Sequence, residues 1–337
     1  MEFKGKKALV CGMAKSGISA AELLNKLGSK VVLQDLKKRE ELGDIEYIEK
    51  QGIELYLGKN PDETVENFDF VVLSPGIPCD LPFIEKAREK NIPVISEVEL
   101  SYRLTPCPIA AITGTNGKTT TTTLAGEMFK EKYPNTAVVG NIGVPYSGEV
   151  MRLKKDDYVV AEISSFQMET AVDFHPHISA VLNITPDHLN RHKTLENYIS
   201  MKERVFAKQD ENDFCILNYE DECTRKMADK TKAEAFFFSS GRKLDKGIYL
   251  DGKDIIIKWH GIDEKLISTD ELKILGVHNY ENVMAASAIA ICGGVETKDI
   301  VKVLKSFTGV EHRIEFVKTV DGVDYYNDSK GTNTDAA

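Results

Sequence analysis

Apolar and polar positions fall into two periods along this chain. In the first hundred residues, short apolar runs at Lys7 to Val10, Val31 to Leu33 and Phe70 to Leu73 predict strands, and Ile18 to Leu27 predicts a helix. Strands alternating with helices predict a parallel sheet with helices on its faces and ligands at the carboxyl ends of the strands. The tract Thr105-Pro106-Cys107-Pro108 breaks both periods and reads as a linker. Beyond it, Ile109 to Ile112, Tyr158 to Ala161 and Ile178 to Asn183 predict strands. Thr120 to Lys132, with Leu124, Met128 and Phe129 at helical spacing, predicts a helix, as does Tyr198 to Phe206. Asp210 to Thr269 reads as strands and turns, the alanine-rich Tyr280 to Cys292 and Val301 to Phe307 as helices, and from about Val310 the strand pattern returns. The expected class is α/β, in domains spanning residues 1–104, 105–309 and 310–337, and a length of 337 residues fits more than one domain.

Composition narrows the function. Lys and Arg number 43 against 53 Asp and Glu, a net charge of −10, which speaks against nucleic acid as the main partner because phosphate backbones demand clustered cations. The six cysteines are scattered without a Cys-x-x-Cys pair, the pattern of reduced thiols rather than of a disulfide framework or a zinc site. The apolar run Ala8 to Cys11 is too short for a signal peptide, and no segment approaches the length of a membrane span. A soluble, cytoplasmic, monomeric protein is expected, with no membrane partner.

The segment Thr113-Gly114-Thr115-Asn116-Gly117-Lys118-Thr119-Thr120 lies between a predicted strand and a predicted helix. In a phosphate-binding loop of this layout, glycines let backbone N–H groups close around phosphate oxygens, and the helix N-terminus adds partial positive charge. Lys118 would reach the β- and γ-phosphates and the Thr119 hydroxyl would hold Mg²⁺. The loop departs from the common pattern, which places a glycine where Ile112 stands, and the plain alternative is a turn that binds nothing. Glu162 closes an apolar strand and so is placed to hold Mg²⁺ or its water; a solvated strand-end carboxylate is the competing reading. His188 follows another strand, where a lone histidine is usually a hydrogen-bonding loop residue. Lys202 reads from its spacing as a surface lysine. The turn Gly12-Met13-Ala14-Lys15-Ser16-Gly17 with Asp35 resembles a dinucleotide fingerprint, but Ala14 replaces the glycine that admits a pyrophosphate, so a nucleotide held less intimately is expected.

Jointly, Thr-Gly-Thr-Asn-Gly-Lys-Thr-Thr, Asn-Ile-Gly at 141–143, Asp-His-Leu-Asn-Arg-His, His-Asn-Tyr-x-Asn, His-Arg-Ile-Glu and Asn-Asp-Ser-Lys-Gly-Thr-Asn resemble the Mur ligases, ATP-dependent amino-acid-adding enzymes of peptidoglycan precursor synthesis. Glu162 to Gln167 and the Ser-Pro-Gly-Ile of residues 74–77 are similar to the branch that adds D-glutamate to UDP-N-acetylmuramoyl-L-alanine through an acyl phosphate. The resemblance implies a Rossmann-like N-terminal domain for the UDP-substrate, a central P-loop ATPase domain and a third, Rossmann-like domain. It implies ATP contacts from Gly114, Thr115, Asn116, Gly117, Lys118, Thr119, Thr120, Asn279, Asn282, Arg313 and Asp328. Ser16, Asp35, Ser74, Gly76, Asn141 and His188 would hold the UDP-substrate. Catalytic roles fall to Lys118, Glu162, His188 and Lys202. One Mg²⁺ would sit on Thr119 and Glu162, a second on His188 and a carbamylated Lys202, reversing the reading from spacing. Asn190 stands where the family usually has aspartate, and Gly331 where it often has alanine. The sequence stops where the third domain has barely begun, so the chain is expected to be truncated, to bind UDP-substrate and not to form the amide bond alone. Competing expectations are a P-loop switch protein, weakened by the lack of Asn-Lys-x-Asp, a folate-glutamylating ligase and an NAD-linked dehydrogenase.

Overall fold

In the computed structural model, which describes residues 2–311, 315–327 and 329, the apolar runs gather into two separate main sheets. The first contains β1 (Lys7–Cys11), β2 (Lys30–Asp35), β3 (Glu54–Leu57), β4 (Phe70–Leu73) and β5 (Val94–Ser96), all parallel, in the order β3-β2-β1-β4-β5. Side chains of a strand alternate between faces. Ala8 and Val10 therefore pack with Ala20, Ala21 and Leu24 of helix Lys15–Lys26, while Leu9 and Cys11 pack with Phe83, Ile84 and Ala87 of helix Pro82–Glu89. Burial on both faces explains why β4 is apolar at every position.

The second sheet contains β6 (Ile109–Thr113), β7 (Ala137–Gly140), β8 (Val159–Glu162), β9 (Ile178–Val181), β10 (Phe214–Asn218), β11 (Glu234–Ser239), β12 (Gly247–Asp251), β13 (Asp254–Trp259) and β14 (Ile262–Ser268). Their order is β14-β13-β12-β11-β10-β9-β6-β8-β7. The strands run parallel as far as β12, and β13 and β14 add an antiparallel edge. Helices Lys118–Lys132 and Val277–Cys292 share one core cluster with Ala110 and Ile112 of β6, and Asn282 to Ala290 of the second helix are buried without a break. β6 lies between β9 and β8, so chain order reverses at its carboxyl end, where open α/β sheets bind ligands. A hairpin of β15 (Glu315–Val320) and β16 (Val323–Asn327) follows.

Several boundaries differ from the sequence expectation, and one helix was not expected. The helix after the phosphate loop starts at Lys118 rather than Thr120, and the expected Tyr198 to Phe206 helix is Leu195–Glu203, where the Thr194 hydroxyl accepts from Asn197 N–H at 3.2 Å and sets the start. The alanine-rich helix begins at Val277, three residues early. The stretch read as strands and turns also holds a helix, Glu222–Met227, capped by the Asp221 carboxylate on Thr224 N–H at 3.0 Å. No described helix is long and apolar enough to cross a membrane.

Candidate active site

The phosphate loop leaves β6 through Gly114 (φ +151°) and enters its helix through Gly117 (φ +81°). A Cβ at Gly117 would lie 2.2 Å from Asn282 Oδ1, so glycine is required both by conformation and by the close approach of helix Val277–Cys292. The loop after β9 holds the phosphate loop in place. Thr115 N–H donates to the Asn183 carbonyl at 2.9 Å, Asn116 N–H donates to Asn183 Oδ1 at 2.8 Å, and Asn183 Nδ2 donates to the Asn116 carbonyl at 3.1 Å. Thr115 Oγ1 accepts from Thr185 N–H at 3.0 Å and lies 3.1 Å from Tyr198 Oη. Lys118 Nζ donates to the carbonyls of Gly114 at 2.9 Å and Thr115 at 2.7 Å. Thr120 is buried on the first turn of the helix.

Glu162 ends β8 directly beside Ile112 of β6 and is 1% exposed. Its Oε2 accepts from Thr119 Oγ1 at 3.0 Å and its Oε1 from Asn141 Nδ2 at 2.8 Å, while Asn141 N–H donates to the Glu162 carbonyl at 2.9 Å. Gly140 (φ +109°) allows this, since a Cβ there would meet the Glu162 carbonyl oxygen at 2.2 Å. Thr119, Asn141 and Glu162 are thus one unit. A carboxylate and a hydroxyl beside a phosphate loop are hard oxygen donors, which fits Mg²⁺.

Lys202 overturns the reading from spacing. It is 2% exposed, with Nζ 2.7 Å from the Gly114 carbonyl, 3.5 Å from Thr113 Oγ1 and 4.6 Å above the Tyr198 ring. Burial, then the charge of Lys118, holds its ammonium well below the usual lysine range. Burial also pushes the Tyr198 phenol up to about 12. His188 lies nearer the rim, in the left-handed region (φ +52°), with half its side chain exposed, Nε2 3.5 Å from Asp187 Oδ2 and its ring 4.9 Å from Phe166. Asn282 is buried against the phosphate loop and accepts from Thr121 Oγ1 at 3.3 Å, whereas the half-buried Asn279 donates to the Leu275 carbonyl at 2.8 Å. Arg313 and Asp328 lie outside the described residues.

In the first sheet, the Asp35 carboxylate accepts from Met13 N–H at 2.8 Å and Lys37 N–H at 2.9 Å, so it shapes the turn after β1. The buried Ser74 hydroxyl donates to the Gly12 carbonyl at 3.3 Å. Ser16 is half-buried at the start of its helix, and Gly76 borders open space. The two sheets meet close by. Arg191 donates to the Ile77 carbonyl at 2.8 Å and to both oxygens of Glu169 at 3.0 and 2.6 Å, and Glu169 accepts from Cys79 Sγ at 3.0 Å.

The Mur ligase middle-domain model matches residues 112–290, and the model described as "Mur ligase MurD-like, N-terminal domain" matches residues 6–96. The chain belongs to the Mur ligase family. It is 48% identical over 338 residues to the UDP-N-acetylmuramoylalanine--D-glutamate ligase of Thermoanaerobacter sp. (strain X514), covering 100% of this chain and 74% of that relative. The ligase of the same name from Clostridioides difficile (strain 630) is 46% identical, with 100% and 75% covered. Among solved structures, the UDP-N-acetylmuramate:L-alanyl-gamma-D-glutamyl-meso-diaminopimelate ligase from Neisseria meningitides superposes with a TM-score of 0.62 at 18% identity, covering 91% of this chain and 99% of that one. The UDP-N-acetylmuramate-alanine ligase of Thermotoga maritima does so with a TM-score of 0.56 at 22% identity, covering 97% and 74%. The solved structures share the fold.

Sequence reasoning passed over several residues of this Mur ligase that order the site: Asn183, Tyr198, Glu169 and Arg191. Tyr198 and Lys202 stand four residues apart, the spacing that puts two side chains on one helix face. That was the available signal for both. Glu169 carries none, because its partners Arg191 and Cys79 come from segments distant in the chain.

Proposed function

We propose that this Mur ligase serves the ATP-dependent addition of D-glutamate to UDP-N-acetylmuramoyl-L-alanine, in the cytoplasm. The observation that carries the reading is the Thr119–Glu162–Asn141 unit beside the phosphate loop, its Thr119 and Glu162 buried, with the loop after β4 tied to the same region through Arg191. The D-glutamate assignment draws on the relatives, whose names state that activity. Residues 1–104 would bind the UDP-substrate, 105–309 ATP, and 310–337 would begin a third domain.

In this reading, Ser16, Asp35, Ser74 and Gly76 hold the uridine diphosphate, and Asn141 and His188 orient the L-alanyl end. Gly114 to Thr120 cradle the ATP phosphates, with Asn279, Asn282, Arg313 and Asp328 as further ATP contacts. A carboxylate oxygen of the L-alanyl group attacks the γ-phosphorus, a C–O–P bond forms, and the bond to the β-phosphate oxygen breaks with ADP leaving. The D-glutamate amine then attacks the acyl carbon, loses a proton and displaces phosphate. Lys118 neutralises charge crowded between the carboxylate and the γ-phosphate. Mg²⁺ bound by Thr119 and Glu162, and a second ion by His188 and Lys202, would supply Lewis-acid charge stabilisation. The lowered basicity of Lys202 favours the neutral amine, the form that adds to CO₂ with loss of a proton to give a carbamate oxygen ligand.

Calorimetric titration of the chain with UDP-N-acetylmuramoyl-L-alanine, ATP, GTP and NAD tests the assignment. Binding of the UDP compound and ATP supports it. Binding of NAD or GTP in their place overturns it.

A further inference from the structure

At the end of the second sheet opposite the phosphate loop, two segments bring donor atoms together. His175-Pro176-His177 precedes β9, and Asp210 to Asp213 precede β10; these strands are parallel neighbours, so their entry loops lie side by side. His175 Nε2 faces Asp213 Oδ2 at 2.5 Å, and His177 Nδ1 faces the other oxygen, Oδ1, at 3.1 Å. His175 and one carboxylate oxygen each from Asp210 and Asp213 lie within 4.8 Å of one another. A cavity of about 280 Å³ opens against this cluster, with Tyr102, Thr105, Cys107 and Pro108 on its other side. The histidines are about one-third exposed, and Asp213 is 8% exposed.

The carboxylates also brace their own turn, since Asp213 Oδ2 accepts from Asp210 N–H at 2.9 Å and Asp210 Oδ1 from Asn212 N–H at 2.9 Å and Nδ2 at 3.0 Å, but fastening one segment to the other does not need the imidazole–carboxylate contact. The two segments are already joined without it. Gln209 Nε2 donates to the carbonyls of Pro176 and Phe214, both at 3.0 Å, Gln209 Oε1 accepts from Ser179 Oγ at 2.8 Å, and Phe214 N–H donates to the His177 carbonyl at 3.0 Å. Two imidazoles on one carboxylate, on a frame so held, with a second carboxylate in reach and a cavity open beside them, make a preorganised donor set.

We propose that His175, Asp210 and Asp213 form a binding site for a divalent transition metal, Zn²⁺ or a close analogue such as Co²⁺, with His177 positioning the Asp213 carboxylate. Imidazole with carboxylates selects such ions over Mg²⁺, which prefers oxygen alone. Donors at about 2.1 Å from one ion stand ~3.0–3.4 Å apart, within reach of small side-chain rotations here. His175 and Asp213 line the cavity, which leaves room beside them for water or a further ligand. The bound ion stiffens the entry loops of β9 and β10 next to the segment that joins the two sheets, and it is separate from the Mg²⁺ donors Thr119 and Glu162.

Co²⁺ titration of the whole chain in excess Mg²⁺, followed by visible absorption, tests this. One Co²⁺ per chain is expected, displaced by Zn²⁺, with a rise in melting temperature. H175A and D210A, at the more accessible ligands, are expected to weaken binding at least about tenfold, with unchanged circular dichroism. Absence of a protein-bound Co²⁺ spectrum, or binding indifferent to H175A and D210A, would each overturn the proposal.

Discussion

Lys202 shows what a single residue's surroundings do to its chemistry. Below its depressed pKa, the folded and unfolded chains both carry the proton, and the folded state bears the full cost of burying charge. Between that value and the ordinary 10.5, the unfolded chain binds a proton that the folded chain does not, so stability rises with pH across that window. K202M is expected to remove this slope and to be the more stable protein at pH 7 in CO₂-free buffer. Chemical denaturation at a series of pH values reads both effects, and an unchanged slope would remove Lys202 as its source. At Gly117, alanine would bring both left-handed strain and a clash with Asn282. G117A is expected to lose about 1–3 kcal/mol of stability and at least tenfold in ATP affinity, measured by melting and by calorimetry.

At the scale of elements, the phosphate loop depends on the loop after β9. Asn183 satisfies both the N–H and the carbonyl of Asn116 with one side chain. N183A is expected to cost about 1–3 kcal/mol and to raise the ATP dissociation constant, with faster hydrogen exchange at Asn116 as the local readout; exchange at the parent rate would contradict the role. This scale also separates what the sequence could reveal from what it could not. β4 was legible residue for residue, because a strand covered on both faces is a continuous apolar run. The phosphate loop was legible because its glycines, lysine and threonine sit between a buried strand and a helix. Helix Glu222–Met227 was not, since among its six residues only Thr224 and Met227 are buried and no period emerges. Nor did local spacing reveal the burial of Lys202, because Gly114, which accepts its hydrogen bond, lies 88 residues away in the chain.

For the whole molecule, Arg191 is one of several ties between the sheets, beside Cys79 with Glu169 and Ser19 with Ser147. Its guanidinium fork meets Glu169 with both oxygens engaged, caps the Ile77 carbonyl and lies 5.0 Å from the Phe166 ring, which in turn faces His188. R191A would leave the Glu169 carboxylate without its cation, and a loss of roughly 3 kcal/mol is expected, as for other pairs broken on one side. R191K keeps the charge but not the fork, so it is expected to recover stability in part and affinity for the UDP-substrate less. A calorimetric comparison of the two variants checks this, and equal UDP-substrate affinity in R191A and the parent chain would show that the tie does not serve binding.

The strand order carries a kinetic consequence. β6 pairs only with β8 and β9, both of which lie more than forty residues further along the chain. The first sheet closes entirely within residues 7–96. During synthesis, then, the first sheet can assemble while β6 is still waiting for both neighbours. Parallel pairing across such separations is slow, because loop closure precedes any gain from contact. Pulse-labelled hydrogen exchange during refolding is expected to protect β1 and β2, which pair across a much shorter stretch of chain, before β6. The phosphate loop at the end of β6 therefore matures late, and nucleotide added during refolding can capture it only after β6 has paired with β8 and β9.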